Sequence, residues 1–191
     1  MMNRFERQSL MEMVLYILHK TGGTDLYHVL KILYFAEQKH LLEWGNKMVP
    51  DDFHAYEYGP VPDQLYKAVH NNCKYGQELP VLFAQLVRFA GGDAPNVLLP
   101  LREPDMGWLS QADIECLDAS INENAGLSFG QLLAKSHDAA WEEAWKSAQN
   151  GNDDTMSTAS IARAAGASEG LVDYIKEQAE IDLALKYAVA S

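Results

Sequence analysis

The chain has 191 residues, 48% of them hydrophobic, which is enough for one well-packed core but short for two full domains. Its 15 Lys and Arg residues against 27 Asp and Glu residues give a formal net charge of −12, so its surface repels nucleic acids and anionic membranes. This charge favours a basic protein partner instead, because complementary charges speed encounter.

Two features of the sequence indicate a cytoplasmic protein without a membrane span. The first seven residues, MMNRFER, are too charged for a signal peptide, and no later apolar run reaches the roughly eighteen residues that a span needs. Cys73 and Cys116 lie far apart and outside any Cys-x-x-Cys pattern. We therefore expect neither a disulfide framework nor a zinc site, and predict that both thiols are reduced and structural.

Apolar residues at helical spacing predict two helices in the first part of the chain. The first covers residues 5–20, ends at Gly22-Gly23 and carries an apolar stripe of Leu10, Met13, Val14, Ile17 and Leu18. Thr24 and Asp25 can cap the second helix, which Gly45 is predicted to end.

The middle of the chain predicts the small β component. Residues 53–58 alternate and are rich in aromatic side chains, which indicates a short strand that runs into a turn at residues 59–62. A third helix carrying Leu65 and Val69 should follow. Glycines and prolines interrupt residues 76–107, where we expect loops and one more strand.

The last part of the chain is predicted to be helical. Ser110-x-x-Asp113 and Ser128-x-x-Gln131 are typical of helix starts, because the hydroxyl caps a free backbone N–H and the third residue reaches back. Trp141 follows in a further helix, one turn before Trp145. The last predicted helix ends the chain.

These elements predict a fold that is mainly α with a small β-sheet. We expect a compact helical domain with a short antiparallel sheet over residues 1–150. Residues 150–154, Asn-Gly-Asn-Asp-Asp, are the predicted linker. Residues 151–191 would form a C-terminal helical extension packed on this domain.

The sequence contains few candidates for chemistry. It has no phosphate-binding glycine motif, nucleophile elbow or zinc-protease motif. Glu37-x-x-His40 resembles half of a di-iron site, but a second copy is missing. We therefore expect His40 to pack or hydrogen-bond at the helix end and Glu37 to be solvated, with no metal or other cofactor bound.

Three further polar groups have structural interpretations that outweigh functional ones. His137 beside Asp138 could act as a general base, but no nucleophile or oxyanion donor accompanies it, so we predict that it is partly buried at a helix junction against the tryptophans. The acidic pairs at residues 51–52 and 153–154 lack the spaced oxygens of a calcium loop. Turn and cap roles are expected for them.

The segment at residues 161–172 resembles a helix-turn-helix and provides the strongest rival hypothesis. Its second helix would present three acidic residues to DNA, Glu169, Asp173 and Glu177. Lys176 is the basic residue that opposes them. Residues 151–191 carry seven acidic residues against three basic ones. Direct reading of DNA is therefore disfavoured.

Several strings of residues resemble the Panacea domain family. LKILYFA at residues 30–36 precedes YGPVP at residues 58–62, and Ser136-His137 is followed by Trp141, so the resemblance covers residues 10–148. Members of this family, including SocA-like and phage-associated proteins, are typically antitoxins that neutralise a toxin encoded beside them. One of them acts as a proteolytic adaptor for its toxin.

The resemblance implies a non-enzymatic module that binds a protein toxin encoded by a neighbouring gene. The motif residues are expected to be structural scaffold, and they are Leu33, Tyr34, Phe35, Tyr58, Gly59, Pro60, Val61, Pro62, Tyr66, His137 and Trp141. They identify neither the partner-binding surface nor the oligomeric state. The alternatives are a DNA-binding autoregulator that uses residues 158–177, and an enzyme or metalloprotein built around His40 or His137.

Overall fold

The protein, described by a computed structural model over residues 2–71 and 76–190, is mainly helical, and Cys73 lies outside the described residues. Within these residues the strands form two antiparallel sheets, one of three strands and one of two. The prediction of a mainly α protein with a small β component is confirmed, although the β component is divided between two sheets. Cys116 is buried, and burial raises the pKa of its thiol to about 11.

Two long helices form the centre of the fold, and both predicted helices are confirmed. Helix α1 covers Arg4–Thr21 and α2 covers Leu26–Trp44. Asp25 caps α2 by accepting a hydrogen bond from the His28 N–H. Each helix ends at a glycine with positive φ, a conformation that side chains disfavour. Helix α2 is the inner one: its residues from Val29 to Glu37 are all buried, so the other elements pack around it.

The strand predicted at residues 53–58 belongs to a hairpin. Strand β2 covers Phe53–Tyr56 and pairs antiparallel with β3, Gly59–Pro62, across a two-residue turn. Strand β1 is the short Thr24–Asp25 segment before α2. The prediction of a turn at residues 59–62 was therefore wrong, because this segment is the second strand of the hairpin.

The prolines of β3 fit a strand because of their register. Pro60 lies opposite Ala55, whose N–H points away from β3 and donates to the Asp154 carbonyl. Alternate residues of a strand direct their N–H groups to the same side. The N–H groups that Pro60 and Pro62 lack would therefore point away from β2, so the pairing of β2 with β3 loses no hydrogen bond. Turn-forming residue types were thus misleading here.

Helix α3, Asp63–Val69, confirms the third predicted helix. The prediction of loops over residues 76–107 was partly wrong, because a further helix, α4, covers Glu78–Leu86. Pro80 is compatible with α4 because it lies in the first turn, where its missing N–H has no helical partner. Strands β4, Val87–Gly91, and β5, Ala94–Pro100, then complete a sheet in the order β1-β5-β4.

Three helices after residue 110 confirm the predicted starts. Helix α5 covers Gln111–Asn124, α6 covers Phe129–Ser136 and α7 covers Ala139–Gln149. Ser110 and Ser128 both form complete capping boxes with the third residue of their helices. Helix α5 packs along α2, and α6 and α7 enclose the hairpin side of the core.

The segment after α7 returns to the hairpin before the last two helices. The Met156 N–H donates to the Phe53 carbonyl, so the predicted linker leads into a short bridge along β2. Helix α8, Thr158–Ala164, contacts α2 and α7, and α9 covers Glu169–Ala190. Within the described part of the chain, no helix is both long and apolar enough to span a membrane.

Candidate functional site

Family-motif strings from distant parts of the sequence meet around a buried lysine of α2. The Lys31 side chain is fully buried, and its Nζ donates a 2.7 Å hydrogen bond to the Pro60 carbonyl of β3. The ammonium group also lies 4.8 Å from the centre of the Tyr27 ring. Burial lowers the pKa of Lys31 to about 7. We call this region, where α2, the hairpin and the α6–α7 connection meet, the motif junction.

Gly59 allows the hairpin to approach this lysine. A Cβ at residue 59 would lie 2.6 Å from the Ser136 Oγ and 3.0 Å from the Lys31 Nζ, and the φ angle of +93° is itself unfavourable for a side chain. Ser136 is fully buried, and the Tyr27 hydroxyl is buried as well. The close contact therefore explains the glycine of the YGPVP motif.

Asp138 connects the junction to the start of α7. Its Oδ1 accepts hydrogen bonds from the Ala140 and Trp141 N–H groups, which caps the helix. Its Oδ2 accepts hydrogen bonds from the Tyr34 hydroxyl at 2.7 Å and the Gln38 amide at 2.8 Å. Both oxygens are thus saturated by contacts that join α2 to α7.

A row of stacked rings covers the other side of the junction. His137 stacks on Trp141 with ring centroids 3.6 Å apart, and Trp141 stacks on Trp145 at 5.4 Å. The Trp141 Nε1 donates to the Tyr56 carbonyl at 2.9 Å, which ties α7 to the hairpin. Burial and the nearby Lys31 charge lower the pKa of His137.

A second group of rings lies on the surface above the junction. Tyr58, in the hairpin turn, is 55% exposed, and Phe129 is 49% exposed. The ring centroids of Tyr58 and Phe129 are 5.9 Å apart, and those of Phe129 and Tyr27 are 4.6 Å apart. We call Tyr27, Tyr58 and Phe129 the aromatic surface. Beside it, a cleft of about 450 Å³ lies between Tyr27, Phe129, Val69 and Phe89.

Exposure divides the predicted motif residues into two groups. Tyr58 is exposed, and the other ten are buried or partly buried: Leu33, Tyr34, Phe35, Gly59, Pro60, Val61, Pro62, Tyr66, His137 and Trp141. Tyr66 packs edge-on against Tyr56 at 5.2 Å, outside the Lys31 contacts. The Phe35 ring lies 4.4 Å from the Lys135 ammonium group. Tyr58 is thus the motif side chain most available to a partner.

Glu37 and His40 hold the loop after α2. The Glu37 carboxylate is fully buried and accepts hydrogen bonds from the Met48 and Val49 N–H groups, while the His40 Nδ1 contacts the Asn46 carbonyl oxygen at 2.8 Å. The expectation that Glu37 is solvated was wrong, because two backbone donors compensate its burial. Burial nevertheless raises the pKa of Glu37 to about 7.

The first acidic pair provides a helix cap. Asp51 is buried and accepts hydrogen bonds from the Gln64 and Leu65 N–H groups, so it caps α3, where Pro62 offers no side-chain acceptor. Burial raises the pKa of Asp51 to about 6. This bears out the expected cap role for Asp51, whereas the Asp52 carboxylate forms an ion pair with Lys47.

The second acidic pair lies in the bridge along β2. Ligand atoms of Asp153, Asp154 and His54 lie within 4.8 Å of one another and could hold a metal ion. The His54 Nδ1 is 2.6 Å from Asp154, and Asp153 accepts hydrogen bonds from the N–H and the hydroxyl of Thr155. These contacts give the two acids a structural role. Asp153 stabilises the turn before Thr155, and Asp154 attaches this segment to His54 of β2.

The helix-turn-helix-like segment forms two helices joined at Gly166. Helix α8 is partly buried against the domain, whereas Glu169, Asp173 and Glu177 are exposed along α9. Arg163 forms a bidentate ion pair with Glu169. The exposed surface of the segment is therefore acidic.

Sequence reasoning missed the residues that connect the motif strings. Lys31 lies within the LKILYFA string but was not predicted as a site residue, although a lysine inside an otherwise apolar helical run signals an unusual environment. Ser136 and Asp138 were noted only as neighbours of His137. Tyr27 and Phe129 carry no sequence signal for their contact, because residues 102 positions apart meet only after folding.

Comparison with known families identifies the domain. A family model described as antitoxin SocA-like, Panacea domain, matches residues 29–145, which is more than half of the chain. The chain therefore belongs to the SocA-like Panacea domain family, as the resemblance of its motifs predicts. The match begins in α2 and ends in α7, the two helices that Asp138 joins. No curated protein and no solved structure matches the chain.

Proposed function

We propose that this protein is a cytoplasmic antitoxin that neutralises a protein toxin, encoded by a neighbouring gene, by binding it directly and without catalysis. The observation that carries the proposal is the exposure of Tyr58. A ring in the family motif projects from a hairpin that the buried junction fixes in place, and it contacts a second exposed ring, Phe129. The adjoining cleft would accept an apolar side chain of the toxin.

The composition of the aromatic surface supports a protein partner. Tyrosine and phenylalanine supply large contact areas at a small cost in conformational entropy, and aromatic residues are enriched where protein interfaces carry most of their binding energy. The rigid contacts below the surface, from Gly59 to Ser136 and from Pro60 to Lys31, hold the rings ready for binding. The role of the other motif residues, in this proposal, is to maintain that geometry.

DNA binding by the tail has less support. Arg163, one of three basic residues in residues 151–191, is paired with Glu169, and the exposed side of α9 is acidic. A phosphate backbone would meet repulsion there. We expect no mobility shift at low salt with DNA from the protein's own promoter. A shift that disappears when residues 151–191 are removed would instead support a DNA-binding autoregulator.

Co-expression with the product of the adjacent gene tests the proposed function. The wild-type protein should restore growth and co-purify with that product as a stable complex. The double variant Tyr58→Ala with Phe129→Ala should weaken the complex about tenfold or more, since both rings would leave the interface. Phe5→Ala is the matched control, because Phe5 is also an exposed ring but lies in the first turn of α1, outside the aromatic surface.

Two results would overturn the proposal. If the adjacent gene product neither arrests growth nor forms a complex with the wild-type protein, the antitoxin function is wrong. If the complex forms but the double variant and Phe5→Ala behave alike, binding is retained and the aromatic surface is wrong. A proteolytic adaptor would in addition shorten the lifetime of the bound toxin in pulse-chase labelling, and a pure binding antitoxin would leave it unchanged.

A further inference from the structure

Helix α9 carries two apolar stripes, and the domain covers one of them. Val172 and Ile175 are buried against the rest of the protein, which attaches the first two turns of the helix. Tyr174, Ile181 and Leu185 are 47%, 49% and 58% exposed. From Ala179 onwards every side chain that the structure describes in α9 is exposed, so the helix extends past the surface of the domain.

The exposed residues form a continuous stripe. Tyr174, Ile181 and Leu185 are separated by seven and four positions, so at 3.6 residues per turn they lie within about 40° of one another around the helix. The edge of the Tyr174 ring rests against Gly45, where an added Cβ would be 3.1 Å from the ring. The stripe therefore starts at the body of the domain and runs outward along the helix.

Acidic side chains lie along both sides of this stripe. Asp173, Glu177 and Glu180 follow one side at helical spacing, and Asp182 lies on the other. Lys176, the basic residue of this part of the helix, is paired with Asp173 at 3.1 Å. From residue 177 to the end of α9 the sequence carries three acidic residues and one basic residue, Lys186.

We propose that this stripe is a second contact surface for the toxin, and that the outer half of α9 docks into an apolar groove with basic residues along its rim. The proposal rests on the antitoxin function proposed above. An amphipathic helix that places apolar residues at i, i+7 and i+11 in a groove is a recurring mode of protein recognition. The flanking acids require positive charge on the partner's rim and would speed its approach.

The same charges argue against a second copy of this chain as the occupant. Two α9 helices packed through their stripes would bring Glu177, Glu180 and Asp182 of one copy close to the same acids of the other. Like charges at such positions destabilise helix pairs, and the net charge of −12 adds to the repulsion. A basic partner removes this cost, so charge complementarity selects the toxin.

A full-length variant without the apolar side chains tests the stripe in complex with the adjacent gene product. Ile181→Ser with Leu185→Ser should lower the affinity about tenfold or more and leave the melting temperature unchanged, because both side chains are exposed. Leu101→Ser is the matched control, since Leu101 is exposed on the loop after β5.

A second full-length variant tests the acids beside the stripe. Glu177→Lys with Glu180→Lys should lower the association rate several-fold at low salt, because the partner's basic rim would then meet like charge. Glu103→Lys with Glu115→Lys is the matched control, since it changes the net charge equally at two exposed acids outside α9. The control should have a clearly smaller effect on the association rate.

The outcomes separate this inference from the proposed function. If the wild-type protein binds and both stripe variants bind equally well, the inference is wrong and the antitoxin function stands. If the wild-type protein does not bind, the proposed function fails and the inference fails with it. If size-exclusion chromatography shows a wild-type dimer that Ile181→Ser with Leu185→Ser dissociates, the stripe serves self-association and the partner assignment is overturned.

Discussion

The motif junction and the aromatic surface differ in burial although they lie on the same elements. In the junction, Lys31, Asp138 and Trp141 each form hydrogen bonds inside the protein. On the surface a few Å away, Tyr58 and Phe129 keep about half of their area exposed. The difference teaches that a family motif can combine residues that hold the fold with a residue that stays exposed on the surface. Substitutions should therefore separate stability from binding.

The largest loss of stability is expected at Trp141. Trp141→Ala removes a ring stacked between His137 and Trp145 and deletes the hydrogen bond to the hairpin, so the free energy of unfolding should fall by about 3–5 kcal/mol. Urea denaturation measures this change. Trp44→Ala is the control, because Trp44 is 51% exposed and should cost less than about 1 kcal/mol. Equal effects of the two substitutions would contradict the assignment of Trp141 to the core.

A smaller loss is expected at Asp138. Asp138→Ala removes the α7 cap and leaves the buried Tyr34 hydroxyl without its acceptor, which should cost about 2–3 kcal/mol in thermal denaturation. Asp138→Asn keeps one oxygen and should recover part of this loss. If the asparagine variant is as unstable as the alanine variant, the hydrogen bonds are not the source of the stability.

Lys31 should make stability rise with pH above neutrality. Its pKa is near 10.5 in the unfolded chain and about 7 in the fold, so between these values the unfolded state binds more protons and each pH unit adds up to about 1.4 kcal/mol. Urea denaturation between pH 7.5 and 9, values chosen inside this window, should show the slope in the wild type and not in Lys31→Met. Glu37 and Asp51, with raised pKa values of about 7 and about 6, have the opposite effect and only at lower pH. Identical slopes for the two proteins would show that Lys31 stays protonated.

The smallest effect on stability is expected at the aromatic surface. Tyr58→Ala should change the free energy of unfolding by less than about 1 kcal/mol, since more than half of the ring is already exposed. Differential scanning calorimetry of this variant and the wild type provides the comparison. A loss as large as that of Asp138→Ala would place Tyr58 among the residues that hold the fold, and the contrast between the two regions would disappear.

Local sequence signals predicted much of the secondary structure. The helices around Leu10 and Leu30 and the starts at Ser110 and Ser128 were predictable, because periodicity and capping depend on residues close in sequence. Pro60 and Pro80 misled the prediction for the opposite reason. Whether a proline interrupts a strand or a helix depends on its register with elements distant in sequence.

The site was predictable only in part. The motif strings marked Gly59, His137 and Trp141, but the contacts among them depend on how α2, the hairpin and α7 pack. Glu37 was expected to be solvated because a carboxylate has no local sign of burial, and its two backbone donors come from residues eleven and twelve positions later. Exposed rings such as Phe129 can be recognised only from the folded surface.

Hydrogen–deuterium exchange of the free protein and of its complex with the adjacent gene product tests the central claim most directly. That claim is that the toxin contacts the exposed rings and leaves the junction unchanged. We predict slower exchange on binding around Tyr58, at the start of α6 beside Phe129, and along the outer half of α9, with no change in α2 around Lys31. Protection confined to other surfaces, or no protection at all, would contradict the account.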